Sequence, residues 1–160
     1  MQERGPVAPL TSTRSLAYAL AVVVVVLDRV STSLAEHHVH GVTHVWGPFG
    51  LALSFNSGFA FSVFSGRAFF VTVLLCVVVV VLVIVVGRVR TRPQAVGAGL
   101  VLGGAVGNLS ERIISAHHGL VADFITLTHW PTFNVADACV TVGVVVIAAS
   151  ILFGHHEVST

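Results

Sequence analysis

The run AFFVTVLLCVVVVVLVIVV, residues 68–86, contains no charged residue, no glycine and no proline. Valine-rich runs can form buried strands. This length without apolar–polar alternation argues instead for a helix, and about 20 predominantly apolar residues are what a helix needs to cross a bilayer core. Once one segment belongs in lipid, the rest of the chain has to satisfy its backbone polar groups under the same constraint. Three further segments fit: SLAYALAVVVVVLDRVSTSL (15–34), AVGAGLVLGGAVGNLSERII (95–114) and FNVADACVTVGVVVIAASILF (133–153). Composition agrees, since only 9% of residues are charged, against about 25% in soluble domains. The expectation is an all-α membrane protein of four transmembrane helices with a small extracytoplasmic β-sheet.

With 160 residues, the chain is expected to form one domain over residues 14–154, preceded by a disordered N-terminus (1–13) and followed by a short tail (155–160). A net charge of +1 gives no electrostatic footing for nucleic acid. Cys76 and Cys139 each lie inside an apolar run and read as free thiols acting as small hydrophobes.

Arginine placement sets direction. Arg4 and Arg14 precede the first span, and Arg88, Arg90 and Arg92 crowd the link between spans two and three. The opposite side holds Arg29, Arg67 and Arg112, each at or inside a span end. Both termini are therefore expected on the cytoplasmic side. Ser33-Leu34-Ala35 fits a small-x-small cleavage rule, but Asp28-Arg29 interrupts the stretch before it, and the arginine bias requires the first helix to be retained. The outer segment, about 36–67, contains VWGPFGLALSFNSGFAFSVFSG. Its aromatic and turn-forming residues predict short strands lying on the membrane surface.

Charged groups inside spans cost roughly 2.5–3.5 kcal/mol each and mark function by default. In this topology Asp28, Asn56, Asn108, Glu111, Arg112, Asp123, Asn134 and Asp137 collect at one level, the outer boundary. Gly99, Gly103 and Gly107 repeat every four residues, the small-xxx-small pattern of close helix packing. Gly104, Asn108 and Arg112 form an adjacent line. Glu111 and Arg112 could form a simple interfacial ion pair.

The chain has only three aspartates, and two of them, Asp123 and Asp137, lie close together in LVADFITLTHWPTFNVADA. On one straight helix they would be about 21 Å apart along the axis. Trp130-Pro131-Thr132 reads as a turn into the fourth span, with Thr132 or Asn134 as its cap, and the loop carrying Asp123 can then fold back onto Asp137. Two carboxylates in contact share a proton, which leaves one base and one acid near neutral pH. Peptide hydrolysis by water needs that combination, without metal or covalent intermediate.

At these residues the sequence resembles the lipoprotein signal peptidases, or signal peptidase II, over about residues 15–153. Five short blocks occur in order: LDRVST with Asp28; NSGFAF with Asn56, Gly58, Ala60 and Phe61; GGAVGNLSER with Gly103, Gly104, Gly107, Asn108 and Arg112; VADF with Asp123; and FNVAD with Asp137. The resemblance implies a membrane aspartic endopeptidase of the bacterial cell membrane that removes signal peptides from diacylglyceryl-modified prolipoproteins, cutting before the lipidated cysteine. It implies Asp123 and Asp137 as the catalytic pair. Asp28, Asn56, Gly58, Asn108, Glu111, Arg112 and Asn134 would bind substrate or support the site, membrane lipid would be the other partner, and neither metal nor cofactor is called for. It also implies inhibition by the cyclic peptide globomycin. Thr32 stands where the family usually has lysine, Arg29 where it has glutamine, Glu111 where it has aspartate and Phe59 where it has alanine.

Two other readings follow from the same residues. A homologue impaired in catalysis could bind lipoprotein precursors without cutting them. A proton or ion pathway would use Asp28, Glu111, Asp123 and Asp137, but it expects charge spread through the bilayer depth rather than gathered at one boundary. The histidines of EHHVH, with His44, His117 and His118, could bind zinc or copper, although adjacent histidines are poorly spaced for one ion.

Overall fold

The computed structural model describes residues 10–57 and 67–153. Four helices and four strands follow one another: α1 (Leu10–His38), β1 (Thr43–Trp46), β2 (Phe49–Asn56), α2 (Arg67–Val86), α3 (Arg92–Ile114), β3 (Val121–Leu127), β4 (Trp130–Phe133) and α4 (Val135–Phe153). Gly58, Ala60 and Phe61, with Phe59 and the expected tail 155–160, lie outside the described residues.

Among the described residues, three helices are long and apolar enough to cross a membrane: Ser12–His38, Phe69–Val86 and Val135–Phe153. The third expected span, now α3, does not join them on composition. Its glycines, with Asn108, Glu111 and Arg112, dilute its apolar character. The reason is positional, because α3 packs against α1, α2 and α4. It buries Ala95, Ala98, Leu102 and Ala105 together with five glycines, whereas α2 leaves Val77, Val80, Val81 and Ile84 exposed.

The glycine lines divide the work of packing. A Cβ on Gly103 would stand 2.7 Å from the Val24 Cβ and 2.8 Å from the Ala21 carbonyl oxygen, so this line holds α1 close. Gly104 faces the Ala136 carbonyl and Val140, and so holds α4. Without these glycines the backbones could not approach to this distance.

α1 starts at Leu10, ahead of the expected Ser15 and inside the stretch 1–13 read as disordered. Thr13, near its start, is packed and only 2% exposed. Thr91 caps α3, its hydroxyl accepting from the Gln94 amide at 3.4 Å, and Pro93 occupies the first turn, where no amide partner is needed.

The strands form one antiparallel sheet in the order β1-β2-β3-β4. Two expectations change here. Asp123 lies on strand β3, not in a loop, and is registered opposite Ser54 of β2. Trp130-Pro131-Thr132 is strand β4 rather than a turn, paired through Leu127↔Trp130 and Ile125↔Phe133. Pro131 is tolerated because β4 is an edge strand. The reversal falls before it, at Thr128-His129, where His129 takes a positive φ of 64°.

Candidate active site

The β3–β4 hairpin brings Asp123 back to the start of α4. The first turn of a helix leaves amide groups without intrahelical partners, and two acidic or amide side chains meet them here. Asn134 is the cap, its Oδ1 accepting from the Asp137 amide at 2.9 Å. Asp28, from α1, accepts from the Ala136 amide through Oδ1 at 2.8 Å, a favourable place for a negative charge. Asp28 is 2% exposed and is pressed against Gly107, where a Cβ would lie 2.9 Å from its Oδ2. A side chain at 107 would displace the carboxylate that holds α4.

Asn134 also joins the two remaining carboxylates. Its Nδ2 donates to Asp123 Oδ1 and to Asn108 Oδ1, each at 3.1 Å. Asn108 Nδ2 in turn donates to Asp137 Oδ1 at 2.8 Å. Asn56, at the end of β2, donates to Asp123 Oδ2 at 3.1 Å. The aspartates are thus linked through two asparagine amides, where the sequence reading had expected direct contact. An amide is suited to the task, since it carries donor and acceptor on one rigid plane.

Asp123 is 1% exposed. Burial pushes its carboxyl from 3.8 up to about 6; the Asn56 hydrogen bond opposes this, Asp137 adds to it, Arg112 opposes it and Asp28 adds to it. Desolvation disfavours the charged form, and a nearby second carboxylate does the same.

Asp137 faces open space. A cavity of about 350 Å³ is lined by Asn56, Asn108, Arg112 and Asp137 on one side and by Val71, Leu74, Leu75 and Val78 of α2 on the other. A second cavity of about 320 Å³, lined by Leu127, Trp130, Phe133 and Val142, reaches the same aspartate. Asp137 therefore borders two cavities, the first walled by polar side chains and α2, the second mainly apolar.

Arg112 donates to the carbonyls of Gly119 (2.7 Å) and Ser57 (3.3 Å), tying the end of β2 to the turn before β3. Gly119 sits at φ 85°, in the left-handed region that glycine adopts without strain. The expected Glu111–Arg112 pair does not form, because adjacent residues on a helix point apart. Glu111 pairs with Arg29 of α1 instead. The role of Gly119 was missed in the sequence, where a glycine after two histidines signals only a turn.

The adjacent histidines of α1 do not gather. His37 and His38 engage the Ser33 and Leu34 carbonyls through Nδ1, and His44 engages Gly47 O within its own hairpin.

Comparison with known proteins identifies relatives of this chain. The chain matches the family described as signal peptidase (SPase) II over residues 20–153. It is 37% identical over 157 residues to the lipoprotein signal peptidase of Rhodococcus jostii (strain RHA1), covering 94% of this chain and 79% of that protein. It is 34% identical over 150 residues to that of Mycobacterium leprae (strain Br4923), covering 87% and 72%. A solved bacterial membrane enzyme structure, obtained by the in meso method at 1.9 Å, superposes with a TM-score of 0.77 at 25% identity, covering 86% of this chain and 92% of that one.

Proposed function

The chain belongs to the signal peptidase II family, whose members remove signal peptides from prolipoproteins, and we propose that it does so with Asp123 and Asp137 as the catalytic pair. The observation that carries this reading is the linked constellation Asp123–Asn134–Asn108–Asp137, which opens at Asp137 into an apolar-walled cavity. For catalysis the pair must hold one proton, with the other carboxyl ionised. The ionised member takes a proton from water, which attacks the scissile carbonyl. The protonated member polarises that carbonyl and then returns its proton so that the amine can leave. Asn56, Asn108 and Asn134 orient the pair, Arg112 and Glu111 fix the surrounding backbone and helices, and Asp28 anchors α4 beneath it.

The substrate is a diacylglyceryl-modified prolipoprotein, cut before the lipidated cysteine. The apolar α2 wall of one cavity and the mainly apolar second cavity suit a chain that enters from lipid. α3 completes four spans, sheathed by its three neighbours. Domain limits follow the sequence reading, with α1 extended back to Leu10. The arginine asymmetry puts both termini in the cytoplasm and the sheet on the extracytoplasmic face of the bacterial cell membrane. Trp46, Phe49, Phe55 and Trp130 on that sheet are exposed, as aromatic residues seated at a membrane interface are.

The test is cleavage of a lipid-modified precursor by the purified chain in ¹⁸O water, read by mass spectrometry. The expected result is one cut, directly before the modified cysteine, with ¹⁸O in the new carboxylate of the released signal peptide. Absence of a cut, or equal cutting of a precursor lacking the diacylglyceryl group, would overturn the reading. Proton flux through liposomes without cleavage would point to the pathway alternative.

A further inference from the structure

Outside the carboxylate pair, a second group of ionisable side chains converges where α1, α3 and the turn after α3 meet. Glu36, Glu111 and His117 each place one potential ligand atom within 4.8 Å of the others. The three residues are far apart in sequence: Glu36 lies 81 residues from His117. The fold therefore assembles them, unlike the adjacent histidines of EHHVH.

Convergence alone is not a site, since acidic groups cluster for many reasons. The second observation is the state of Glu111. Its side chain is 2% exposed and Oε2 is occupied by Arg29, yet Oε1 is buried without a hydrogen-bond partner among the described residues. A buried carboxylate oxygen with no donor is costly and calls for an explanation, an unplaced ion among them. Glu36 and His117 lie on the open side of the cluster, each 29% exposed, with His117 Nε2 2.9 Å from Glu36 Oε1. An entry path from solvent therefore exists.

We propose that Glu36, Glu111 and His117 bind one divalent transition-metal ion of the zinc class. One imidazole nitrogen and two carboxylate oxygens suit zinc, and the imidazole disfavours magnesium and calcium, which take oxygen ligands. Two glutamates and Arg29 leave one net negative charge to meet the cation. Three protein ligands leave a fourth position for water.

The ion braces the outer end of the molecule. Glu36 belongs to the last turns of α1 and Glu111 to the last turn of α3. The His117 ring stacks on Phe55 of β2, with centroids 4.4 Å apart and planes tilted by 42°. Phe55 is registered opposite Ala122 and precedes Asn56, so the brace is one residue removed from both ends of the Asn56–Asp123 hydrogen bond. This inference does not depend on the peptidase reading, because it concerns different side chains and a different readout.

The test uses the untagged full chain in lipid nanodiscs with zinc chloride as probe. Zinc retained after gel filtration is measured by mass spectrometry, affinity by competition with a chelating dye, and the first coordination shell by X-ray absorption. The expected result is one zinc per chain, held by nitrogen and oxygen only. Glu36→Gln and His117→Ala, both at partly exposed positions, should each weaken affinity by about tenfold or more. Zinc should raise the unfolding temperature of the native chain but not of these variants, since a ligand stabilises only the state that binds it. No retained zinc would overturn the proposal. So would a shell containing sulfur, undiminished binding in both variants, or loss of binding in a His37→Ala/His38→Ala/His40→Ala chain.

Discussion

Replacing Asp123 by asparagine should stop cleavage and make the protein gain stability relative to the native chain as pH rises toward 6. Asp123 is 1% exposed, and its carboxyl is pushed from 3.8 up to about 6, burial being the largest cause. Because the folded value lies above the unfolded one, the native chain binds more protons than the unfolded chain between about pH 4 and pH 6. Stability is therefore highest, as far as this group is concerned, below about pH 4 and declines as pH rises through about 6. A shift of this size corresponds to about 3 kcal/mol once the carboxyl is fully ionised. Asparagine does not titrate and escapes that cost. It brings one of its own, since Asn56 and Asn134 both donate to the present carboxylate and one of these amides must turn to present its oxygen. That cost does not depend on pH, so the informative quantity is the change in the gap between variant and native chain. Unfolding of both in mixed micelles, followed from about pH 4.5 to 7.5, should show the gap moving in the variant's favour by about 2 kcal/mol. A gap that stays constant with pH, or moves the other way, would refute the claim that Asp123 carries a burial penalty.

Asn134→Ala removes the α4 cap and an amide donor to a carboxylate. Stability should fall by about 2–4 kcal/mol and cleavage by about 100-fold, measured by unfolding and by initial rates; a variant cleaving at the native rate would contradict the linking role. The pH profile of kcat/KM should decline on its alkaline side with an apparent pKa of about 6, as Asp123 loses the proton that the pair must keep. A profile flat between about pH 5 and 8 would count against it. Gly103→Ala places a methyl group 2.7 Å from the Val24 Cβ and 2.8 Å from the Ala21 carbonyl oxygen, so the α1–α3 contact must open. The expected loss is about 1–3 kcal/mol in unfolding measurements.

The membrane character was legible because α2 repeats apolar residues for longer than any soluble strand, and α1 and α4 nearly do. The four-residue glycine spacing foretold which helix would sit at the centre, although the same glycines keep α3 from qualifying as a span on composition. β3 was hidden because Val121, Ala122, Asp123 and Phe124 are all buried. A strand covered on both faces lacks the alternation that reveals strands. β4 was hidden by Pro131, which in sequence reads as a turn. At the site, the aspartates were visible through their rarity and their apolar surroundings. What joins them was not, because the role of Asn134 depends on a hairpin closing, and the Glu111 partner Arg29 lies 82 residues away.

The central claim is that Asp123 and Asp137 act together on one water molecule. The most direct measurement compares native chain, Asp123→Asn and Asp137→Asn on one diacylglyceryl-modified precursor in the same lipid, with folding of each verified by its unfolding transition. The account predicts cleavage by the native chain and none above background by either folded variant. Sustained cleavage by either one would contradict it.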